Sequence, residues 1–208
     1  MSIFAKPSKE NTVEENQYGV KILFLHGLEG APTGSKATHL KQKWGALCPA
    51  IRTTNMVELR SDLSGKWENA SQDMIDEAIQ EAYRDALDAV KYSDPDIIVG
   101  SSLGAALLYK LYANAHFSGS GVFLAPAIPH LVSEAETLSG ANALKDTCSV
   151  WVLGELDTIV PNKRNAEISK ASGGNLIYSP EDSHRLSKAL EAGLIDAAIL
   201  TAIEGLGA

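Results

Sequence analysis

From about residue 20 to the C-terminus, short apolar runs alternate with longer amphipathic segments, which is the pattern of an α/β fold. The predicted strands are Val20 to Leu25, Met56 to Leu59, Asp96 to Val99, Gly121 to Leu124, Val150 to Leu153 and Asn175 to Tyr178. Most are apolar throughout, as parallel strands covered on both faces must be. Apolar residues at three- and four-residue spacing predict helices over Ser35 to Leu47, Ser71 to Val90, Leu103 to Ala115, Pro161 to Ala171 and Arg185 to Ile203. The stripe Ile75, Ile79, Ala82, Ala86, Ala89 is the clearest of them. Asn69 or Ser71 can cap that helix, Pro161 suits a first helical turn, and Pro95 blocks a helix just before the Asp96 strand. The expected architecture is a three-layer α/β/α sandwich around a mostly parallel sheet of about six strands.

Composition narrows this picture. A chain of 208 residues with 45% hydrophobic residues can bury one full core, so a single domain over 19–208 is expected. The polar segment 1–18 precedes it as a flexible arm without the apolar run of a secretory signal, which would place the protein in the cytoplasm. No stretch reaches the roughly 18 apolar residues of a membrane helix, so membrane insertion is not expected. The formal net charge of −8 and the lack of any Lys/Arg block argue against nucleic-acid binding. Cys48 and Cys148 have neither metal-ligand spacing nor the density of a disulfide scaffold.

The chemistry lies at strand ends. Asp96-Ile97-Ile98-Val99 runs directly into Gly100-Ser101-Ser102-Leu103-Gly104, and helix-forming residues follow without a gap. This strand–turn–helix context is what a G-x-S-x-G nucleophile needs, because a sharp turn pushes Ser102 Oγ into the open beside the free amides of a helix start. Ser101 is the alternative nucleophile, but the two glycines frame Ser102. A hydroxyl needs a general base, and the base needs an orienting acid. Asp157 follows the strand Val150 to Leu153, and His184 follows the last strand. Asp182 is a second candidate acid, although it would have to fold back along its own loop. The first strand ends in His26-Gly27-Leu28-Glu29-Gly30, where a tight turn would present the Leu28 amide, with that of Leu103, to a developing oxyanion. His26 then has a structural place, anchoring that loop. Gly30-Ala31-Pro32-Thr33-Gly34-Ser35-Lys36 looks like a phosphate-binding loop but lacks the glycine spacing and the hydroxyl after the lysine.

His26-Gly27 at a strand end, GSSLG, Asp157 in G-x-x-D-x-x-V-P and His184, in that order, resemble the α/β-hydrolase superfamily over all but the N-terminal arm. The phrases FLHGLEGAPTGSKATHL, GSSLGA and SHRL look like its small, nearly capless esterases and acyl thioesterases. The resemblance implies a serine hydrolase acting on a small-molecule ester or thioester through an acyl-enzyme, with no metal or organic cofactor. Its lid would be a short segment at about 126–148, with room for one or two short helices, one of them over Leu131 to Leu138, leaving an open site walled by Glu29, Ile128, His130, Leu131 and Ile159. The same machinery would also serve C–C bond, lactone or peptide cleavage, and a catalytically silent binding protein could keep the same fold.

Overall fold

The computed structural model describes residues 16–207. Most of the expected N-terminal arm therefore lies outside the described residues. Its last three residues turn back onto the domain: Asn16 Nδ2 donates to the Trp44 carbonyl at 3.3 Å, and the Tyr18 ring stacks on Trp44.

Five parallel strands pair in sequence order: β1 (Ile22–Leu25), β2 (Ile97–Ser101), β3 (Ser120–Leu124), β4 (Ser149–Gly154) and β5 (Asn175–Ser179). Alternate residues of each strand point to opposite faces and meet two separate apolar cores. Ile22, Phe24, Ile97, Val99, Val122 and Val150 pack against α1 (Ser35–Trp44), α8 (Ser187–Glu191) and α9 (Leu194–Glu204). Leu23, Leu25, Ile98, Phe123 and Trp151 face α3 (Gln72–Ser93), α4 (Leu103–Ala113), α6 (Glu134–Leu144) and α7 (Asn162–Ala171). Two shorter helices, α2 (Thr54–Asp62) and α5 (Ile128–Leu131), complete that layer. The molecule is thus the expected three-layer sandwich. Among the described residues, no helix is long and apolar enough to cross a membrane.

The sixth expected strand is absent among the described residues. Met56 to Leu59 lies inside helix α2, with Met56 and Leu59 buried. Their spacing, continued by Leu63, is that of one helical face (i, i+3, i+7), and Met, Glu and Leu are all good helix formers. What does extend the sheet is a single parallel bridge between Leu23 and Leu47, where Phe24 N donates to the Leu47 carbonyl and Leu47 N to the Ile22 carbonyl. The chain therefore leaves β1 through α1, touches the outer edge of β1 at Leu47, and crosses to the other face through α2 and α3 to enter β2. Connections diverge to the two sides of the β1–β2 pair, and the crevice above their C-terminal ends is where an open α/β sheet opens to ligands.

Two helix boundaries also differ. The final helix is two, α8 and α9, because Gly193 at φ +73° turns the chain in the left-handed region between them, while Leu186 at φ +51° holds back the start of α8 to Ser187. The segment expected to be helical over Leu131 to Leu138 breaks at Val132, which is extended, and restarts at Ser133. Ser133 and Glu136 form a reciprocal capping box, a local signal strong enough to start α6 there.

Candidate active site

Ser102 sits between β2 and α4 with φ 53° and ψ −111°, a conformation that side-chain-bearing residues seldom adopt. The turn is held from both ends: Ser102 N donates to the Leu124 carbonyl on β3 at 2.9 Å, and its own carbonyl accepts from Ala105, Ala106 and Ala127. Two glycines make the tight approach feasible. A Cβ on Gly100 would lie 2.6 Å from Ala105 Cα, and one on Gly104 would collide with the Leu25 carbonyl of β1. Helix α4 is buried almost to its end, so Lys110 on it is paired with Glu136 Oε1 at 2.6 Å and approached by Asp76 at 3.5 Å. The turn bearing Ser102 is thereby mounted on the most buried helix among the described residues.

Asp157 and His184 reach Ser102 because their two loops pack backbone to backbone. A Cβ at Gly154 would stand 2.6 Å from both the Asp182 and Ser183 carbonyls, and Leu156 N donates to the Asp182 carbonyl. His184 Nδ1 then donates to Asp157 Oδ2 at 2.7 Å, and the Ser102 hydroxyl donates to His184 Nε2 at 2.8 Å. The carboxylate selects this tautomer, leaving the Nε2 lone pair toward the serine. Asp157 Oδ1 accepts from the amides of Ile159 and Val160 at 2.8 and 3.0 Å, which fixes the carboxylate plane. Burial pushes the Asp157 carboxyl up, but the bonds from His184 and from those two amides more than reverse this, and it is held below the usual carboxylate range. Its side chain is 1% exposed and that of His184 14%, so the pair is shielded from water on the acid side and open on the serine side.

Asp182 does not reach the imidazole. It is buried with its oxygens on Ser179 Oγ, Ser183 N and Ala189 N, where it caps the first turn of α8. Ser101 is the last residue of β2 and is buried. Both ring nitrogens of His26 are engaged by backbone, Nδ1 with the Gly27 carbonyl at 2.8 Å and Nε2 with the Ile51 amide at 3.1 Å. The ring thus ties the loop after β1 to the segment before α2.

A cavity of about 420 Å³ opens over Ser102 and His184. Leu28 and Leu103 line it, and among the described residues neither of their amides donates to another protein group. Glu29, His130, Leu131 and Ile159 also line it. Ile128 does not: at the start of α5 its side chain turns inward and is fully buried in the core. The roof is a second departure from expectation. Residues 126–148 contribute only Ala127, His130 and Leu131, whereas α2 and the turn after it bring Met56, Arg60 and Trp67 over the site. A strand over Met56 to Leu59 would leave this wall out, and the helical spacing of those residues is the sequence signal for it. Arg60 donates to Glu29 Oε1 at 2.6 Å, and this bond and charge hold the Glu29 carboxyl below its ordinary range.

No protein-family model matches the chain, and no curated protein does. Solved structures match its fold. Est1E from Butyrivibrio proteoclasticus, with ferulic acid bound, superposes at a TM-score of 0.64 with 15% identity, covering 91% of this chain and 90% of that one. Thermogutta terrifontis esterase 2 phosphorylated by paraoxon gives 0.56 and 13%, covering 97% and 87%. A Xanthomonas campestris protein assigned to the α/β hydrolase superfamily gives 0.55 and 17%, covering 90% and 97%.

Proposed function

On the α/β-hydrolase fold that this chain shares with those structures, we propose a serine hydrolase that cleaves a carboxylic ester or thioester through an acyl-enzyme. The observation that carries the proposal is the continuous hydrogen-bonded line from Asp157 through His184 to Ser102 Oγ at a strained turn. In the first half-reaction Ser102 Oγ attacks the acyl carbon while its proton passes to His184 Nε2. The carbonyl oxygen takes the negative charge between the Leu28 and Leu103 amides, which have no other protein acceptor among the described residues. Collapse of that intermediate expels the alcohol or thiol, which takes the proton from His184. In the second half a water molecule gives its proton to Nε2, attacks the serine ester, and releases the acid with Ser102 restored. Asp157 stays ionised, holding Nδ1–H and opposing the imidazolium charge. A cavity with a helical roof in place of a large lid suits a small acyl group or one projecting from a larger molecule.

The test is a fluorophosphonate probe together with paraoxon, the latter motivated by the phosphorylated Thermogutta esterase. Wild-type protein is expected to be labelled by both at Ser102, and Ser102→Ala to lose labelling while its circular dichroism spectrum is unchanged. Labelling that persists in Ser102→Ala refutes the assignment. A chain-length series of nitrophenyl esters and acyl thioesters then reads the preferred acyl group and leaving atom.

A further inference from the structure

We propose that the substrate bears a carboxylate close to the scissile bond and that the Arg185 guanidinium receives it. This rests on the hydrolase reading above, since it specifies what that site accepts. The chain carries a net −8, yet among the described residues the cationic side chains lining the cavity are Lys36, Arg60 and Arg185 and the lone lining carboxylate is Glu29. Arg60 is committed to Glu29, donating to its Oε1 at 2.6 Å, and the Lys36 ammonium is turned to the backbone, donating to the Arg185 carbonyl at 2.7 Å.

Arg185 is left over. Its guanidinium approaches Glu29 Oε2 only at 4.0 Å, and its side chain is 82% exposed. Its backbone is meanwhile pinned, by Lys36 on one side and by its neighbour His184 on the other, whose ring is bonded to Asp157 and Ser102. A planar guanidinium on a backbone held next to His184, lining the same cavity as Ser102 and meeting Glu29 only at 4.0 Å, is suited to a bidentate carboxylate. Among the described residues the lining holds three cationic side chains against one carboxylate, a surplus that suits an anionic group on the substrate. An opening that carries the opposite sign to the rest of an acidic surface also concentrates anions locally. The remaining walls, Met56, Trp67, Leu131, Ile159 and Val160, are apolar and suit the uncharged part of the same molecule.

Two ester pairs, each a free carboxylate and its methyl ester, test this. In one, 4-nitrophenyl hemisuccinate and its methyl ester place the carboxylate on the acyl side. In the other, 3-carboxy-4-nitrophenyl acetate and its methyl ester place it on the leaving group. In kcat/KM for nitrophenolate release, with the spontaneous rate subtracted, the anionic member of one pair is expected to lead by about 10-fold at low salt, the size of a single partly exposed charge-assisted contact. The pair that shows it assigns the side. The lead should fall to about unity in Arg185→Gln, keep an intermediate value in Arg185→Lys, and shrink with added salt as screening lengths shorten. Preference for the neutral member of both pairs, with Ser102 still labelled by the fluorophosphonate, overturns this inference and leaves the hydrolase reading standing. A lead that survives Arg185→Gln overturns the role of Arg185. Absence of both labelling and turnover overturns the hydrolase reading and this inference with it.

Discussion

Asp157→Asn is nearly isosteric, and its consequence follows from which atoms are already committed. One oxygen of Asp157 accepts from the Ile159 and Val160 amides, which are backbone donors and cannot reverse. An asparagine must keep its carbonyl oxygen there, so its NH2 group faces His184 Nδ1 at the position of the present 2.7 Å contact. Two donors would then oppose each other unless the imidazole moves its proton to Nε2. That tautomer satisfies the asparagine but presents N–H to Ser102 Oγ and removes the base. In serine-protease triads the same change costs about 10⁴-fold in turnover, close to 5.5 kcal/mol of barrier. A loss of that order is expected in kcat for a nitrophenyl ester, with the fold intact by circular dichroism. The matched control is Asp182→Asn, whose oxygens serve Ser179, Ser183 and Ala189 instead of the imidazole. It should lower the unfolding midpoint and leave kcat within about tenfold, the size of a small positional disturbance. Asp157→Asn retaining more than a tenth of wild-type turnover, or Asp182→Asn losing as much as Asp157→Asn, would refute the reasoning.

Three further outcomes are expected. Gly104→Ala drives a methyl group into the Leu25 carbonyl, with the Leu25 carbonyl carbon 2.5 Å and the His26 oxygen 2.7 Å away, all backbone atoms; urea denaturation should show a loss at or above the roughly 1–3 kcal/mol typical of overpacking. His26→Ala removes the acceptor of the buried Ile51 amide, and about 1–3 kcal/mol of stability should be lost in the same assay, with turnover falling too because the loop bearing Leu28 is released. Stability should also depend on acid in a defined direction. Burial pushes the carboxyls of Asp157 and Asp196 up, but bonds from His184 and two amides to the first, and from Lys43, His39 and Trp44 to the second, leave both below their ordinary values. Groups so depressed stabilise the fold fully above the unfolded-state value of about 3.9 and lose that contribution as pH falls through their folded values. Urea midpoints should therefore drop below about pH 4, and Asp196→Asn should be less stable at neutral pH with a flatter acid limb; an unchanged acid limb would refute the assignment.

Much of this molecule is legible in its sequence, for an identifiable reason. Parallel strands buried on both faces are largely apolar, so β1 to β4 stand out as short runs such as Ile97-Ile98-Val99, and the partly exposed edge strand β5 shows as the shorter Leu176-Ile177-Tyr178 run. The glycines at 100 and 104 report a turn too tight for a Cβ, and that turn marks Ser102 without reference to any distant residue. Asp157 and His184 can be nominated because each follows a strand, and strand ends of a parallel sheet share one edge.

Contacts between segments far apart in the chain are decided only by the tertiary structure. Asp157 and Asp182 both precede His184 on loops of similar character, and what separates them is the packing at Gly154 that aims one carboxylate at the ring and the other at the start of α8. Met56 to Leu59 taken alone does not separate strand from helix, and its helical spacing shows only once Leu63 is included; that α2 then roofs the cavity with Arg60 and Trp67 is decided by the fold. Position after β3 suggests Ile128 for the wall, but the direction of one helical turn buries it. Sequence thus determines the elements and the chemical types at their ends, because both follow from local sterics and periodicity. The facing of each carboxylate, the source of the roof and the surplus charge at Arg185 depend on distances across the fold, and only the folded chain sets those.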